Sequence, residues 1–319
     1  MNNLLLLGVF VVGIMLLVRT SGWLVSLLTW MARYLKMSEY TVAFILMAAA
    51  TSVPELFVGL NSALTGFPEL SFGNILGANL LNVTLVLGVA ALFRAITLED
   101  ERITHGASFV FTLTLTPLIM LFDGVLSRID GALLVLIFFA YLRYLFVTSR
   151  LPDHNINTIE LTPAAFGEFV KKLFLFIGGV LLLLVASRIV VFAAGAAAAR
   201  FGIPAFLVGL IVVSLGTTLP ELTFAIRSAF AGHSGMSFGN AIGSVVFNLL
   251  FILGIVAMIQ PIVLQGTRTP AFISLLAVTG ISLLLYITSR ISGQISRLMG
   301  VFLIAVYIAA ALFIFQLSF

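Results

Sequence analysis

The sequence predicts an all-α polytopic membrane protein, with ten transmembrane helices arranged as two inverted five-helix repeats. Three observations support this fold class. Of the 319 residues, 61% are hydrophobic, only 9% are charged, and one long motif occurs twice. A soluble domain would carry charge on about a quarter of its residues. Apolar runs of about 20 residues, the length that spans a membrane, recur along the whole chain.

Ten apolar segments are predicted in order along the chain. The first five lie near residues 3–30, 39–65, 70–94, 104–122 and 130–148. The second five lie near residues 168–199, 203–231, 236–258, 270–289 and 298–317. They divide the chain into a first transmembrane repeat at 1–148, a linker at 149–167 and a second repeat at 168–319. Because five is an odd number, the second repeat enters the membrane from the opposite side, and the repeats are inverted.

Basic residues are distributed unevenly between the predicted loops. Three lie on one side of the membrane, namely Arg128, Arg200 and Arg268. Eleven lie on the other side: Arg33, Lys36, Arg94, Arg102, Arg143, Arg150, Lys171, Lys172, Arg227, Arg290 and Arg297. The positive-inside rule therefore predicts a cytoplasmic linker and two external termini, and we expect a prokaryotic inner membrane. Arg19 and Arg188 fall inside predicted spans, where we expect them to snorkel or to pair at a helix interface.

The repeated motif contains two acidic residues inside long apolar stretches. It occupies residues 50–88 and 216–254, with a constant offset of 166 residues. Glu55 and Glu221 stand at equivalent positions in the two copies. A carboxylate in hydrocarbon is costly and marks a candidate functional site. Two of them at equivalent positions in inverted repeats predict a cation site between the halves.

Each glutamate follows a proline, Pro54 or Pro220. A proline inside a helix removes one N–H donor and clashes with the carbonyl four residues earlier, so we expect free carbonyls at Ala50 and Gly216. Hydroxyl side chains precede each proline: Thr51 and Ser52 in the first copy, and Thr217 and Thr218 in the second. Hydroxyl, carbonyl and carboxylate oxygens are hard ligands that suit Ca²⁺ or Na⁺.

Asparagines and small residues form a stripe on the next predicted helix of each half. The spacing of Asn74, Ala78 and Asn82 is repeated by Asn240, Ser244 and Asn248. Residues four apart share a helix face, and an asparagine face toward lipid would be costly. We interpret Asn82 and Asn248 as ligands, and Asn74 and Asn240 as either ligands or interhelical contacts. The glycines at 73, 77, 239 and 243 indicate close helix packing.

These motifs resemble the two α-repeats of the Ca²⁺/cation antiporter superfamily, and specifically of its sodium/calcium exchanger branch. The patterns G-T-S-x-P-E and G-N-x-x-G-S-x-x-x-N/D stand here as residues 50–55 with 73–82, and as 216–221 with 239–248. The matched regions cover about a quarter of the 319 residues. The resemblance implies that Ca²⁺ is bound by Glu55, Glu221, Thr51 and Thr217. It also implies Na⁺ sites that share the glutamates and add Ser52, Thr218, Ser244, Asn82, Asn248 and the backbone carbonyls near Ala48 and Ser214.

Two positions of the motifs bear on which ions the resemblance implies. Ala78 replaces the serine of the first repeat, which removes one hydroxyl from a sodium site. Asn248 stands where potassium-dependent relatives carry an aspartate, which argues against potassium co-transport.

The resemblance implies a secondary antiporter, not an enzyme, that exchanges Na⁺ for Ca²⁺ by alternating access and extrudes Ca²⁺ electrogenically. Its expected partners are the transported ions Ca²⁺ and Na⁺, with H⁺ as a competitor for the same glutamates, and the lipid bilayer, with no nucleic acid, ATP or cofactor. A Ca²⁺/H⁺ antiporter that uses the same glutamates is the first alternative. A cation channel, since rings of carboxylates also line filters, and an inactive structural membrane protein are the others.

Overall fold

The computed structural model describes residues 3–34, 47–98, 101–148, 162–230 and 234–316. The described part of the first half forms helices α1 (Asn3–Tyr34), α2 (Met47–Thr51), α3 (Val53–Leu64), α4 (Pro68–Leu81), α5 (Leu87–Phe93), α6 (Glu101–Met120) and α7 (Arg128–Thr148). That of the second half forms α8 (Pro163–Phe201), α9 (Ala205–Leu207), α10 (Ser214–Thr217), α11 (Leu219–Phe230), α12 (Ser234–Val246), α13 (Leu253–Ile259), α14 (Arg268–Ile291) and α15 (Arg297–Gln316).

Several helices continue directly into one another through tighter or wider turns. Segments of π-helix at Asn82–Val86, Val208–Val213 and Phe247–Ile252 join α4 to α5, α9 to α10 and α12 to α13. A short 3₁₀ turn, Leu121–Asp123, follows α6. Two of the π-helical segments begin at or next to Asn82 and Asn248, and such segments are frequent at functional sites.

Within the described residues, four two-residue strands add a small β component to the predicted all-α fold. β1 (Ile96–Thr97) pairs antiparallel with β4 (Gln294–Ile295), and β2 (Val125–Leu126) pairs antiparallel with β3 (Ile262–Val263). β1 follows α5 and β3 follows α13, so these two strands are equivalent in the repeats.

The strand pairs also give the relative orientation of the halves. One helix, α6, separates β1 from β2, and the equivalent α14 separates β3 from β4. The two pairs therefore lie at opposite ends of these helices, with β1 and its equivalent β3 in different pairs. Equivalent strands at opposite ends are what inverted repeats require, and the predicted inversion is confirmed.

The apolar helices confirm a polytopic membrane protein. Among the described residues, six helices are long and apolar enough to cross a membrane, and a seventh span is made if Ala205–Thr217 and Leu219–Phe230 are joined across a 41° bend. Val53–Leu64 and Phe109–Asp123 are shorter apolar helices. The count of ten spans stays a prediction.

The start of the second repeat differs from the prediction. α8 begins at Pro163, five residues before the expected start at 168. Thr162 caps the helix, since its Oγ1 accepts a hydrogen bond of 3.1 Å from the Ala165 N–H, and proline is favoured in the first helical turn. Residues 149–161 of the predicted linker lie outside the described residues.

Two spans form the centre of the molecule. In the span Pro68–Phe93, 83% of the most apolar window is buried, and in Gly235–Ile259 the share is 72%, against 17% in Arg297–Gln316. α4 crosses the second half in backbone contact, since a Cβ at Gly77 would lie 2.0 Å from the Leu210 carbonyl oxygen. A Cβ at Gly73 would lie 1.9 Å from the Phe206 carbonyl oxygen. The packing role predicted for these two glycines is thereby confirmed, and it brings α4 close to the helix break of the other half.

Candidate functional site

Both helices that carry the buried glutamates break one residue after a threonine. α2 ends at Thr51 and α3 begins at Val53, and α10 ends at Thr217 and α11 begins at Leu219. In each half the proline is the second residue of the new helix, where its missing N–H costs least. Each glutamate therefore lies in a first helical turn, where unpaired N–H groups and the helix dipole favour negative charge.

Glu55 and Glu221 are brought together and are fully buried, with relative exposures of 0% each. The two carboxylates are close enough to interact electrostatically. Hydroxyl groups of the opposite half surround them: Thr217 lies beside Glu55, and Thr51 beside Glu221. Ser52 donates a long hydrogen bond of 3.4 Å to Oε1 of Glu221. The predicted pairing of carboxylates across the halves is present in the structure.

The two threonines make equivalent bonds across the interface. Thr51 Oγ1 donates to Oδ1 of Asn240 over 3.3 Å, and Thr217 Oγ1 donates to Oδ1 of Asn74 over 3.1 Å. These contacts connect each helix break to the asparagine stripe of the other half. Asn74 and Asn240 thus make interhelical contacts, one of the two roles that the sequence left open.

The hydroxyl arrangement is asymmetric because of Ala78. In the second half, Ser244 Oγ lies 3.4 Å from Thr51 Oγ1. The equivalent of this pair is Ala78 with Thr217, where the hydroxyl partner is absent from the sequence. Thr218, the equivalent of Ser52, has no hydrogen-bond partner for Oγ1 among the described residues. The surroundings of Glu55 are therefore poorer in hydroxyl contacts than those of Glu221.

Asn82 and Asn248, both predicted ligands, are fully buried and differ in their contacts. Asn248 Nδ2 donates to Oδ1 of Asn79 over 3.1 Å. Asn82 has no hydrogen-bond partner for either amide atom within the described part of the chain. Asn79 was not singled out from the sequence. It is an asparagine in an apolar helix, and the other repeat has Val245 at the equivalent position, so this difference could have indicated a polar contact.

Several buried oxygen atoms of this region have no hydrogen-bond partner in the described residues. They are both carboxylate oxygens of Glu55, Oε2 of Glu221, Oγ1 of Thr218, and Oδ1 of Asn82 and of Asn248. Buried polar atoms are almost always paired, and each unpaired one costs roughly 1–3 kcal/mol. A bound cation would coordinate such oxygens, so this set of orphaned acceptors fits Ca²⁺ or Na⁺ as a substrate.

The two predicted backbone ligands are the carbonyls near Ser214 and Ala48. The Ser214 carbonyl oxygen lies at the helix break and accepts hydrogen bonds from the Thr218 N–H at 3.0 Å and from the Thr217 hydroxyl at 3.3 Å. Ala48 lies in α2, and its side chain is outside the described residues. Among the described residues, no group of three or more His, Cys, Asp or Glu side chains could hold a metal ion.

Inverted helical repeats with broken helices and a buried polar site at their interface define a secondary ion transporter. The chain belongs to the sodium/calcium exchanger protein family, whose profile matches residues 5–147 and 171–316. This is a family of exchangers and not of enzymes.

Relatives and solved structures agree with this membership. Inner membrane protein YrbG of Escherichia coli (strain K12) is 30% identical over 81% of this chain and 81% of its own length. Sodium/calcium exchanger MaX1 of Methanosarcina acetivorans is 24% identical over 97% of this chain and 98% of its own. A structure of the sodium-calcium exchanger NCX_Mj soaked with Na⁺ and Sr²⁺ superposes with a TM-score of 0.69 and 28% identity, covering 97% of this chain and 98% of that one.

Proposed function

We propose that this protein is a secondary antiporter that exchanges Na⁺ for Ca²⁺ by alternating access. The observation that carries the proposal is the meeting of Glu55 and Glu221, fully buried and contributed from equivalent positions of the two halves. The names of the relatives, which include a sodium/calcium exchanger matched over 97% of this chain, support the same ion pair. The protein would be powered by an ion gradient, without ATP, a cofactor or catalysis.

The charge of the site suits a divalent ion. Two ionised glutamates carry a charge of −2, which one Ca²⁺ neutralises, and a single buried carboxylate would leave the ion half-compensated. Thr51 and Thr217 lie beside these carboxylates and add two neutral oxygens. We infer that these four residues bind Ca²⁺.

Sodium ions would use the same carboxylates with a wider set of oxygens. The proposed additional ligands are Ser52, Thr218, Ser244, Asn82, Asn248 and the backbone carbonyls near Ala48 and Ser214. Three of these residues, Thr218, Asn82 and Asn248, contribute oxygens without hydrogen-bond partners in the described residues. Because both ions need Glu55 and Glu221, they cannot occupy the site together, and this mutual exclusion converts binding into exchange.

A Ca²⁺/H⁺ antiporter remains the alternative, since a proton can neutralise either carboxylate. The deciding experiment measures ⁴⁵Ca²⁺ uptake into vesicles that contain the purified protein, with an outward Na⁺ gradient, an outward H⁺ gradient of equal size, or neither. Na⁺/Ca²⁺ exchange predicts uptake with the Na⁺ gradient alone. Uptake driven only by the H⁺ gradient would replace this proposal with the alternative.

The orientation in the cell follows from the loop charges and is also proposed. We infer an inner membrane location, with both termini outside and the linker in the cytoplasm. The inward Na⁺ gradient of a cell would drive Ca²⁺ out, and with three Na⁺ per Ca²⁺ the inside-negative potential would add to this drive.

A further inference from the structure

Arg19 faces outward from the α1–α8 pair, inside a span and apart from the cation site. Its side chain is exposed, and among the described residues no carboxylate forms an ion pair with it. The apolar part of α1 is Leu4–Leu24, so Arg19 lies five residues from its end. At 1.5 Å per residue this is a depth of about 7.5 Å. At this depth a lipid-facing guanidinium can snorkel to the headgroup region, where an anion can pair with it.

A groove of about 490 Å³ connects Arg19 with the apolar surface of the two helices. Arg19 and Trp23 of α1 line one end with Leu182 of α8, which follows Gly179 beside Trp23 and Leu24, and Val12 and Leu16 of α1 line the other end. From Val12 to Trp23 the helix rises by about 16 Å. This length is close to half of the roughly 30 Å hydrocarbon core, which is the depth of one lipid leaflet.

Aromatic and charged residues lie beyond the Arg19 end of the groove, about 16 Å further along α1. The Lys172 ammonium lies 4.8 Å from the centre of the Trp30 ring and 3.3 Å from the Glu168 carboxylate. Tyr34 stacks on Trp30 with ring centres 5.8 Å apart. Such residues are typical of the interface between membrane and water. The cationic end of the groove therefore points toward lipid headgroups and the apolar end toward the bilayer interior, which is the orientation of a lipid molecule.

We propose that this groove binds one phospholipid with an anionic headgroup. Its phosphate bonds to the Arg19 guanidinium, whose planar fork matches phosphate oxygens. One acyl chain lies along Val12, Met15 and Leu16. The site is a permanent lipid site between α1 and α8, and it takes neither of the transported ions.

Native mass spectrometry of the purified protein tests this proposal. The protein is titrated separately with phosphatidylglycerol, phosphatidylcholine and glycerol 3-phosphate. We expect phosphatidylglycerol to bind most tightly, and Arg19→Ala to weaken it by about tenfold, the effect of losing one charge-assisted hydrogen bond. Arg19→Lys, which keeps the charge, should weaken it less. Arg188→Ala is the matched control, because Arg188 is also exposed within a span but does not line the groove.

A second variant blocks the groove without changing any charge. Leu182→Trp fills the groove and should weaken phosphatidylglycerol binding while the transport rate in a neutral-lipid bilayer stays at the parent level. Three results would each overturn the proposal: unchanged binding in both Arg19→Ala and Leu182→Trp, equal binding of phosphatidylcholine, or an equal loss in Arg188→Ala. Equal affinity for glycerol 3-phosphate would show that the acyl chain contributes nothing, and would refute a lipid as the occupant.

Discussion

The amide nitrogen of Asn248 donates a 3.1 Å hydrogen bond to the side-chain oxygen of Asn79, which joins the two halves of the chain. Because the nitrogen is held in this way, Oδ1 of Asn248 is left as the acceptor without a partner among the described residues. The 166-residue offset makes Asn82 and Val245 the equivalent pair, and a valine cannot accept a hydrogen bond. Two candidate ligands at equivalent positions are therefore held differently.

Replacing Asn79 tests whether it positions Asn248. Asn79→Val copies the residue of the other repeat and should raise the Na⁺ concentration for half-maximal exchange by roughly fivefold, since a net hydrogen bond is worth about 1 kcal/mol. The Ca²⁺ concentration for half-maximal uptake should change little, because Ca²⁺ is assigned to the glutamates and threonines. Val245→Asn is the converse variant and should lower the Na⁺ requirement. Equal shifts for both ions in Asn79→Val would indicate a purely structural role.

Removing either buried charge should stop transport without unfolding the protein. Glu55→Gln and Glu221→Gln each leave one carboxylate to balance a divalent ion, so Ca²⁺ flux should fall to the level of empty vesicles. Thermal unfolding should show equal or greater stability, since burying an amide costs less than burying a charge. Glu69→Gln is the matched control, because Glu69 lies in the first turn of α4 and is only partly buried. Near-normal flux in both site variants would refute the assignment.

Adding a third carboxylate should change the ion preference. Asn248 is fully buried, and Asn248→Asp raises the negative charge of the proposed site from −2 to −3. The variant should then require an additional monovalent cation or a proton, so its exchange rate should depend on Na⁺, K⁺ and pH differently from the parent. Ion and pH profiles that superpose on those of the parent would place Asn248 outside the site.

Exchange should respond to the membrane potential. With three Na⁺ per Ca²⁺, as the family resemblance implies, the sodium-loaded site carries one net positive charge, and one charge crossing the membrane is worth about 2.3 kcal/mol per 100 mV. Ca²⁺ flux in vesicles clamped with valinomycin and K⁺ should therefore change in rate and end point with the imposed potential. The hydroxyl missing at Ala78 makes two Na⁺ per Ca²⁺ the alternative, and fluxes that ignore the potential would support that stoichiometry.

Two exposed glutamines at opposite ends of α14 test the orientation. The chain has no cysteine, so Gln265→Cys and Gln294→Cys each introduce a single thiol, at positions that are exposed on either side of Arg268–Ile291. Gln265 is preferred to Gly266, whose φ of +76° would strain any side chain. In whole cells an impermeant thiol reagent should label the Gln265→Cys variant and spare the Gln294→Cys variant. The reverse pattern would invert the proposed topology.

The sequence predicted the parts of the structure that local patterns encode. The constant offset and the prolines identified Glu55 and Glu221 and the helix breaks before them, because a proline acts on its own helix. The contact between Asn79 and Asn248 depends on how α4 and the end of α12 face each other across the halves, and no spacing along one helix contains that information. The two-residue strands are likewise too short to show an alternating pattern. The start of α8 was signalled by Thr162 and Pro163, a capping residue followed by proline, and the prediction overlooked it.

The register of the strand pairs has a consequence for how such a molecule could assemble. Ile96 faces Ile295 in one pair, and Leu126 faces Ile262 in the other. Because β1 is equivalent to β3 and β2 to β4, exchanging the two halves converts one pair into the other. A single five-helix polypeptide that inserted into the membrane in both orientations would present both partners of each pair to a second copy of itself. Such a dual-topology homodimer would bring together two identical acidic side chains and so contain a complete exchanger site. Joining the two copies in one chain then leaves each half free to diverge. Ala78 is equivalent to Ser244, and Asn79 to Val245, and a homodimer could not have such differences.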